Sequence, residues 1–246
     1  MKIDILTLFP EMFSGLSASI IKRAVAGGIV DITVHDFREF SKKKNRRVDD
    51  YSYGGGAGMI IEIQPIVDCL RHIENYQAAR KVITTPAGKP YDQKKAQELA
   101  QLSHLILICG HYEGIDHRIM DYVDEEISIG DYILTGGEIA SMAIVDSVVR
   151  LLPNALGNEE SVATESFEDH LLEYPQYTRP EEFEGKRVPE VLISGNHEKV
   201  RQYRRFKSLE MTYHKRPDLL EKAQLTEEDR KFLELIKKGE IISNDF

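Results

Sequence analysis

The sequence predicts an α/β protein in which a parallel β-sheet domain is followed by a small, mainly helical part. Three observations carry this. Short apolar runs at residues 2–9 (KIDILTLF), 30–37 (VDITVHDF), 81–86 (KVITTP) and 104–110 (HLILICG) alternate with helix-like stretches, the pattern of strands joined by crossover helices. The first run alternates as a strand does, and the strand–helix order implies parallel strands with covered faces. After Pro153 the pattern becomes polar, and beyond residues 174–180 (YPQYTRP) helical periodicity returns.

Taken in order, Pro10 opens a helical stretch that ends in the glycine pair 27–28, since proline fits the first turn of a helix and glycine its end. The segment 91–102 (YDQKKAQELAQL) separates the third and fourth strands as a helix, and 137–152 (GEIASMAIVDSVVRLL) has the period of a buried helix. Residues 154–170 (NALGNEESVATESFEDH) hold turn formers and no β-branched run, as a linker does. Two further helices follow, one capped by Ser194 or Asn196 and one by Thr226 with Asp229 three residues on. The expected organisation is a domain over 1–158, a linker or flap over 159–175 and a helical domain over 176–246.

Composition narrows the function classes. The 246 residues are 41% apolar and 30% charged with a net charge of −9, within the globular range. No run approaches the ~20 apolar residues of a membrane helix, and the N-terminal stretch carries Asp4 and Pro10 with no small-residue cleavage site after it. Cys69 and Cys109 are the only cysteines, which points to reduced, buried thiols and a cytoplasmic setting. Charge is unevenly spread: from 183 to 216 nine Lys and Arg face four Glu, a net +5, and a second basic run occupies 38–47 (REFSKKKNRR). These are either solvated faces or contacts for a polyanion.

The densest glycine cluster, 51–59 (YSYGGGAGM), is not a phosphate loop, because Met59 and Ile60 follow Gly58 where Lys and Ser or Thr are required. Nor does a strand precede it, as the dinucleotide fingerprint demands. It reads as a mobile loop able to close over a flat ligand, or as a plain turn. The turns TTPAGKP, CGHYEG and SIGDYILTGGE each follow a strand-like run, and open α/β sheets bind ligands beyond the carboxyl ends of their strands. Their glycines would admit a ligand to the backbone, and Tyr112, Tyr132, Ile129 and Leu134 would wall an adenine-like ring. Tight turns between strands are the alternative. The eight histidines and two cysteines show no metal-ligand spacing, and there is no GxSxG nucleophile elbow.

Read together, KIDILTLFPEMF, VDDYSYGGGAGM, GHYEGIDHR, EEISIGDYILTGGE, VVRLLPNALGNE, LLEYPQYTRP, VPEVLISGNH and KRPDLL closely resemble the bacterial tRNA (guanine-N1)-methyltransferase family of the SPOUT class. The resemblance covers essentially the whole chain. It implies a trefoil-knotted S-adenosylmethionine-binding domain, a homodimer with its active site at the subunit interface, and methyl transfer to N1 of the guanosine at position 37 of tRNA. The implied cofactor residues are Gly110, Tyr112 and Glu113, then Ile129, Gly130, Asp131, Tyr132, Ile133 and Leu134, then Gly136 and Gly137, with Thr85 and Pro86 at the other edge.

The resemblance places Arg150 against the guanine O6 and a base just before Ser-Phe in the linker, where the family has aspartate and this chain has Glu165. Asp169 is the alternative base. Guanine N1 carries a proton, so the reaction needs a base there and a cation near O6, and no covalent nucleophile. The helical domain is implied to bind tRNA, which matches its net +5, and Arg201, Arg204 and Arg205 are expected to contribute to tRNA affinity. No metal site is expected, and whether Mg²⁺ assists proton transfer stays open. A non-catalytic RNA-binding SPOUT protein and a SPOUT methyltransferase with another RNA target are the competing functions.

Overall fold

A computed structural model of the chain describes residues 1–156, 166–167 and 169–239. The chain divides into two compact units, Met1–Glu159 and Glu160–Phe246. The first runs β1 (Lys2–Thr7), α1 (Ser19–Ala26), β2 (Asp31–Asp36), β3 (Asp49–Asp50), β4 (Ile60–Ile61), α2 (Ile63–His72), β5 (Arg80–Pro90), α3 (Gln93–Ala100), β6 (His104–Cys109), β7 (Glu125–Ser128) and α4 (Glu138–Val149). Five strands make one sheet in the order β2-β1-β6-β5-β7, every neighbouring pair parallel, as the alternation of runs predicts.

Both faces of the sheet are covered, which is why β6 is apolar from Leu105 to Cys109. Leu105, Leu107 and Cys109 enter one core with Ile3 and Ile5 of β1 and Ile144, Val145 and Val148 of α4. Ile106 and Ile108, one residue out of step, enter the other with Leu6 and with Ile66, Val67 and Leu70 of α2. Both cysteines are free and buried, and burial pushes the Cys69 thiol up to about 12 and Cys109 higher still.

Two elements depart from the sequence reading. The stretch opened by Pro10 is a 3₁₀ turn over Pro10–Ser17, then α1, with Ala18 extended between them. Ser14, Gly15, Ser17 and Ser19 are weak helix formers, enough to break one helix into two pieces. Strand β5 runs four residues past Pro86, through a bulge at which Thr84 and Lys89 both pair with Ile127. Gly88 is required there, since a Cβ would lie 2.5 Å from the Ile127 backbone nitrogen.

A buried carboxylate ties three strands together. Asp4 on β1 is 1% exposed, with His35 Nε2 of β2 at 2.6 Å, His104 Nε2 of β6 at 2.7 Å and Lys2 Nζ at 3.2 Å. Burial pushes the Asp4 carboxyl up, but the bonds from His35, His104 and Lys2 outweigh it and hold it below the ordinary range. A depressed folded-state value means stability that is present above the unfolded value of about 3.9 and is lost as pH falls through the folded value. Melting temperatures measured from pH 6 down to pH 3 should therefore fall more steeply for the wild type than for Asp4→Asn; parallel curves would contradict the assignment.

The second unit contains a short hairpin, β8 (Glu182–Phe183) with β9 (Lys186–Arg187), and the helices α5 (Glu190–Ile193), α6 (His197–Lys215), α7 (Pro217–Leu220) and α8 (Glu227–Lys238). Its core joins Leu171 to Phe206 and Leu209 of α6 and Leu233 and Ile236 of α8. The caps read from sequence are made: Asn196 Oδ1 accepts from Lys199 N at 3.2 Å, and Thr226 and Asp229 form a reciprocal capping box. Among the described residues no helix is long and apolar enough to cross a membrane.

Candidate active site

A cavity of about 510 Å³ opens at the carboxyl ends of β5, β6 and β7, the position where open α/β sheets hold ligands. Its wall has three pieces. The β5 bulge gives Thr85 and Pro86, the turn after β6 gives Gly110, Tyr112 and Glu113, and the loop after β7 gives Ile129, Gly130, Tyr132, Ile133, Leu134, Gly136 and Gly137. Twelve of the thirteen residues expected to hold the cofactor thus lie around one hollow. Asp131 is the exception: it is exposed and absent from the wall.

Backbone geometry explains why this wall is glycine-rich. The loop after β7 returns to the turn after β6, where Gly136 bridges His111 and Gly137 N donates to Gly110 O at 2.8 Å. A Cβ on Gly137 would lie 2.9 Å from the Cys109 Cα and 3.0 Å from the Gly110 nitrogen, so no larger residue fits. The glycine cluster 51–59 joins β3 to β4 and is tethered to the same turn, with Glu113 N donating to Met59 O at 3.1 Å and Ile61 N to Gly114 O at 2.9 Å. Gly58 sits where a Cβ would collide with the Glu113 side chain.

Two residues escaped the sequence reading, one on this wall and one behind it. His111 stands between carried-over positions in GHYEG and borders the cavity, with its ring 4.6 Å from that of Phe9. Glu138, in the first turn of α4, is 1% exposed and accepts from Thr7 Oγ1 at 2.9 Å. The signal for Glu138 was an acid directly after two glycines at a helix start.

The remaining candidates lie elsewhere. Arg150 is the C-cap of α4, at the opposite end of that 12-residue helix from its N-cap Gly137, about 20 Å along its axis at 1.5 Å per residue. Glu165 lies outside the described residues. Asp169 belongs to the second unit, where its Oδ2 is 2.5 Å from Arg205 Nη1. Among the described residues no group of three or more His, Cys, Asp or Glu is arranged to hold a metal.

The three arginines of α6 divide by partner. Arg201 pairs with Glu198 at 2.7 Å and Glu228 at 3.2 Å, and Arg205 with the buried Asp229 at 2.7 Å as well as with Asp169. Arg204 instead lies over the Tyr174 ring, 4.9 Å from its centroid, beside a hollow of about 360 Å³ that Tyr177 and Arg179 also border. The basic run 38–47 is largely answered within its own fold, by Lys42 to Asp68, Lys43 to Asp50 and Glu62, and Arg47 to Asp49. Its reading as a surface for a polyanion is thereby weakened.

A profile described as tRNA (Guanine-1)-methyltransferase TrmD matches residues 1–222. This chain belongs to that family. Among relatives named tRNA (guanine-N(1)-)-methyltransferase, one from Geobacillus kaustophilus is 56% identical over 95% of this chain and 97% of its own. One from Clostridium kluyveri is 53% identical over 97% and 98% respectively. One from Halalkalibacterium halodurans is also 53% identical, over 97% and 98%. Two of the stretches that carried the resemblance, GHYEGIDHR and EEISIGDYILTGGE, make most of the cavity wall.

Proposed function

We propose that this chain transfers a methyl group from S-adenosylmethionine to N1 of the guanosine at position 37 of tRNA, with the donor held in the cavity at the ends of β5, β6 and β7. The observation that carries the reading is the convergence of three family motifs on that one cavity. At about 510 Å³ it lies inside the usual range for small-ligand sites, about 300–1,000 Å³. Ile129, Ile133 and Leu134 offer apolar surface for an adenine ring, and Glu113 offers a carboxylate suited to a cationic ligand. The loop returning from β7 to the β6 turn is compatible with a SPOUT-type trefoil knot, which is proposed from the family, since connections in most folds do not thread.

When bound, S-adenosylmethionine supplies an electrophilic methyl group. The chain's own task is to take the N1 proton and to answer the negative charge that develops on O6. We assign the base to Glu165 and the O6 contact to Arg150, with Asp169 as the alternative base; Mg²⁺ is assigned no ligand. Arg150 lies far along α4 from the cavity wall of its own chain, which supports a homodimer whose second copy completes each active site. Ile133 and Ile139, 80% and 47% exposed on and beside that wall, are apolar surface of the kind a subunit contact covers. A cytoplasmic setting agrees with the free, buried cysteines.

The helical unit is proposed to hold the tRNA, and the ion-pair pattern divides its arginines. Arg204→Ala should weaken tRNA binding roughly tenfold, the scale of one stacking or charged contact, and leave the melting temperature nearly unchanged. Arg205→Ala should instead destabilise the unit by about 3 kcal/mol, because it leaves Asp229 buried without its partner. Filter binding and thermal unfolding of both variants check this; equal effects on affinity would contradict it. For the function itself, labelled methyl donor is added to bulk RNA from cells lacking the activity. Label in the tRNA fraction supports the reading, and label confined to ribosomal RNA overturns the substrate.

A further inference from the structure

Two buried polar atoms face each other at the cavity wall. His111 Nδ1 and Glu138 Oε2 are 3.6 Å apart, and neither has a hydrogen-bond partner among the described residues. Gly136 lies against both, since a Cβ there would collide with each. The other Glu138 oxygen is already engaged: Thr7 Oγ1 donates to it at 2.9 Å, while accepting from Phe9 N at 2.9 Å. A hydroxyl has one proton, so Thr7 has no further donor to offer.

Leaving either atom unpaired in a buried site is unfavourable, and an approach of about half an ångström with one proton between them satisfies both. Glu138 stands in the first turn of α4, where unsatisfied N–H groups favour negative charge, so the carboxylate is the acceptor and the ring the donor. A neutral imidazole has a single N–H. With that proton on Nδ1, Nε2 carries a lone pair. The ring is held between Phe9, at 4.6 Å, and the edge of Tyr112, at 5.3 Å, which restrains its rotation.

We infer that Glu138 is a positioning residue that fixes the His111 proton on Nδ1, so that His111 presents Nε2 to the cavity as a hydrogen-bond acceptor for its ligand. The ligand group it fits is an N–H or O–H donor, such as the ammonium or a ribose hydroxyl of the methyl donor, and the inference rests on the donor reading given above. His111 and Glu138 then bind the ligand as one unit, and the wall made by Gly136 exists to let the two side chains approach.

The test has two arms. Long-range ¹H–¹⁵N correlation on ligand-free protein reads the tautomer of His111, whose signals are identified by their loss in His111→Gln. The proton is expected on Nδ1 in the wild type and on Nε2 in Glu138→Gln, where the amide donates to the ring. A wild-type proton on Nε2 would mean that Glu138 is the donor and would overturn the proposal. In the second arm, calorimetry measures S-adenosylmethionine binding by His111→Asn, which keeps a donor near Glu138, and by His111→Gln, which keeps an acceptor near the Nε2 position.

The Asn variant should lose roughly tenfold in affinity, the loss of one hydrogen bond, and the Gln variant less. The reverse order would mean that His111 only satisfies Glu138 and has no ligand role. The wild-type tautomer and the second arm are both read without Glu138→Gln. If the wild type binds no S-adenosylmethionine, the donor reading fails and the ligand role of His111 falls with it, whereas the tautomer is still decided by the first arm.

Discussion

Gly137→Ala is expected to lower the rate of methyl transfer by roughly a hundredfold, the scale at which displacement of a site by about 1 Å is felt, and to weaken binding of S-adenosylmethionine. The new methyl group would press on the Cys109 Cα at 2.9 Å and the Gly110 nitrogen at 3.0 Å. Both are backbone atoms of a buried strand end, so the loop must move instead. That shift breaks the bond from Gly137 N to Gly110 O and opens the wall between β6 and α4. Overpacking of this kind also costs about 1–3 kcal/mol of stability. Gly110→Ala is the control: its Cβ would meet only Ile115 at 3.7 Å, so that variant should fold like the wild type. Methyl-transfer rates, calorimetric titration and thermal unfolding of the pair check these points. Unchanged donor binding in Gly137→Ala would show that the close approach does not shape the site.

Glu165→Gln should abolish methyl transfer while leaving donor affinity within about twofold, since removal of a general base typically costs about 10²–10⁴ in rate. Asp169→Asn separates the two candidate bases. Asp169 is engaged by Arg205, which also grips the buried Asp229, so its carboxylate would have to leave that pairing to take a proton. Turnover in Asp169→Asn should therefore stay within a few-fold of wild type. Single-turnover rates with saturating tRNA decide the matter: loss in the Asp169 variant alongside activity in Glu165→Gln would transfer the role of base to Asp169.

What could be read from the sequence follows from which features are local. Strand β6 was legible because burial on both faces demands an apolar run, β1 and β2 because their residues alternate in short strand-like runs, and the capping box at Thr226 because it is a contact three residues long. The bulge in β5 was not, because it depends on Gly88 approaching Ile127 on a neighbouring strand. The helix beginning at Ile63 carries Pro65 in its first turn and follows the glycine cluster, so its start resembled the end of a loop.

The same distinction applies to the site. Gly110, Tyr112 and Glu113 could be placed by motif, but the pairing of His111 with Glu138 joins positions far apart in the chain and required the returning loop to be seen. Composition suggested three equivalent arginines on α6. Their carboxylate partners, Glu198 on α6 itself, Glu228 and Asp229 on α8 and Asp169 ahead of α6, make them unequal: Arg205 grips the buried Asp229, Arg201 is doubly paired and Arg204 rests on an aromatic ring.

The central claim is tested most directly by incubating the protein with labelled S-adenosylmethionine and two tRNA transcripts that differ only at position 37, one with G and one with A, and mapping the modified atom by nuclease digestion and mass spectrometry. The account predicts 1-methylguanosine at position 37 of the first transcript and no label in the second. Equal labelling of both, or a methyl group on an atom other than N1, would contradict it.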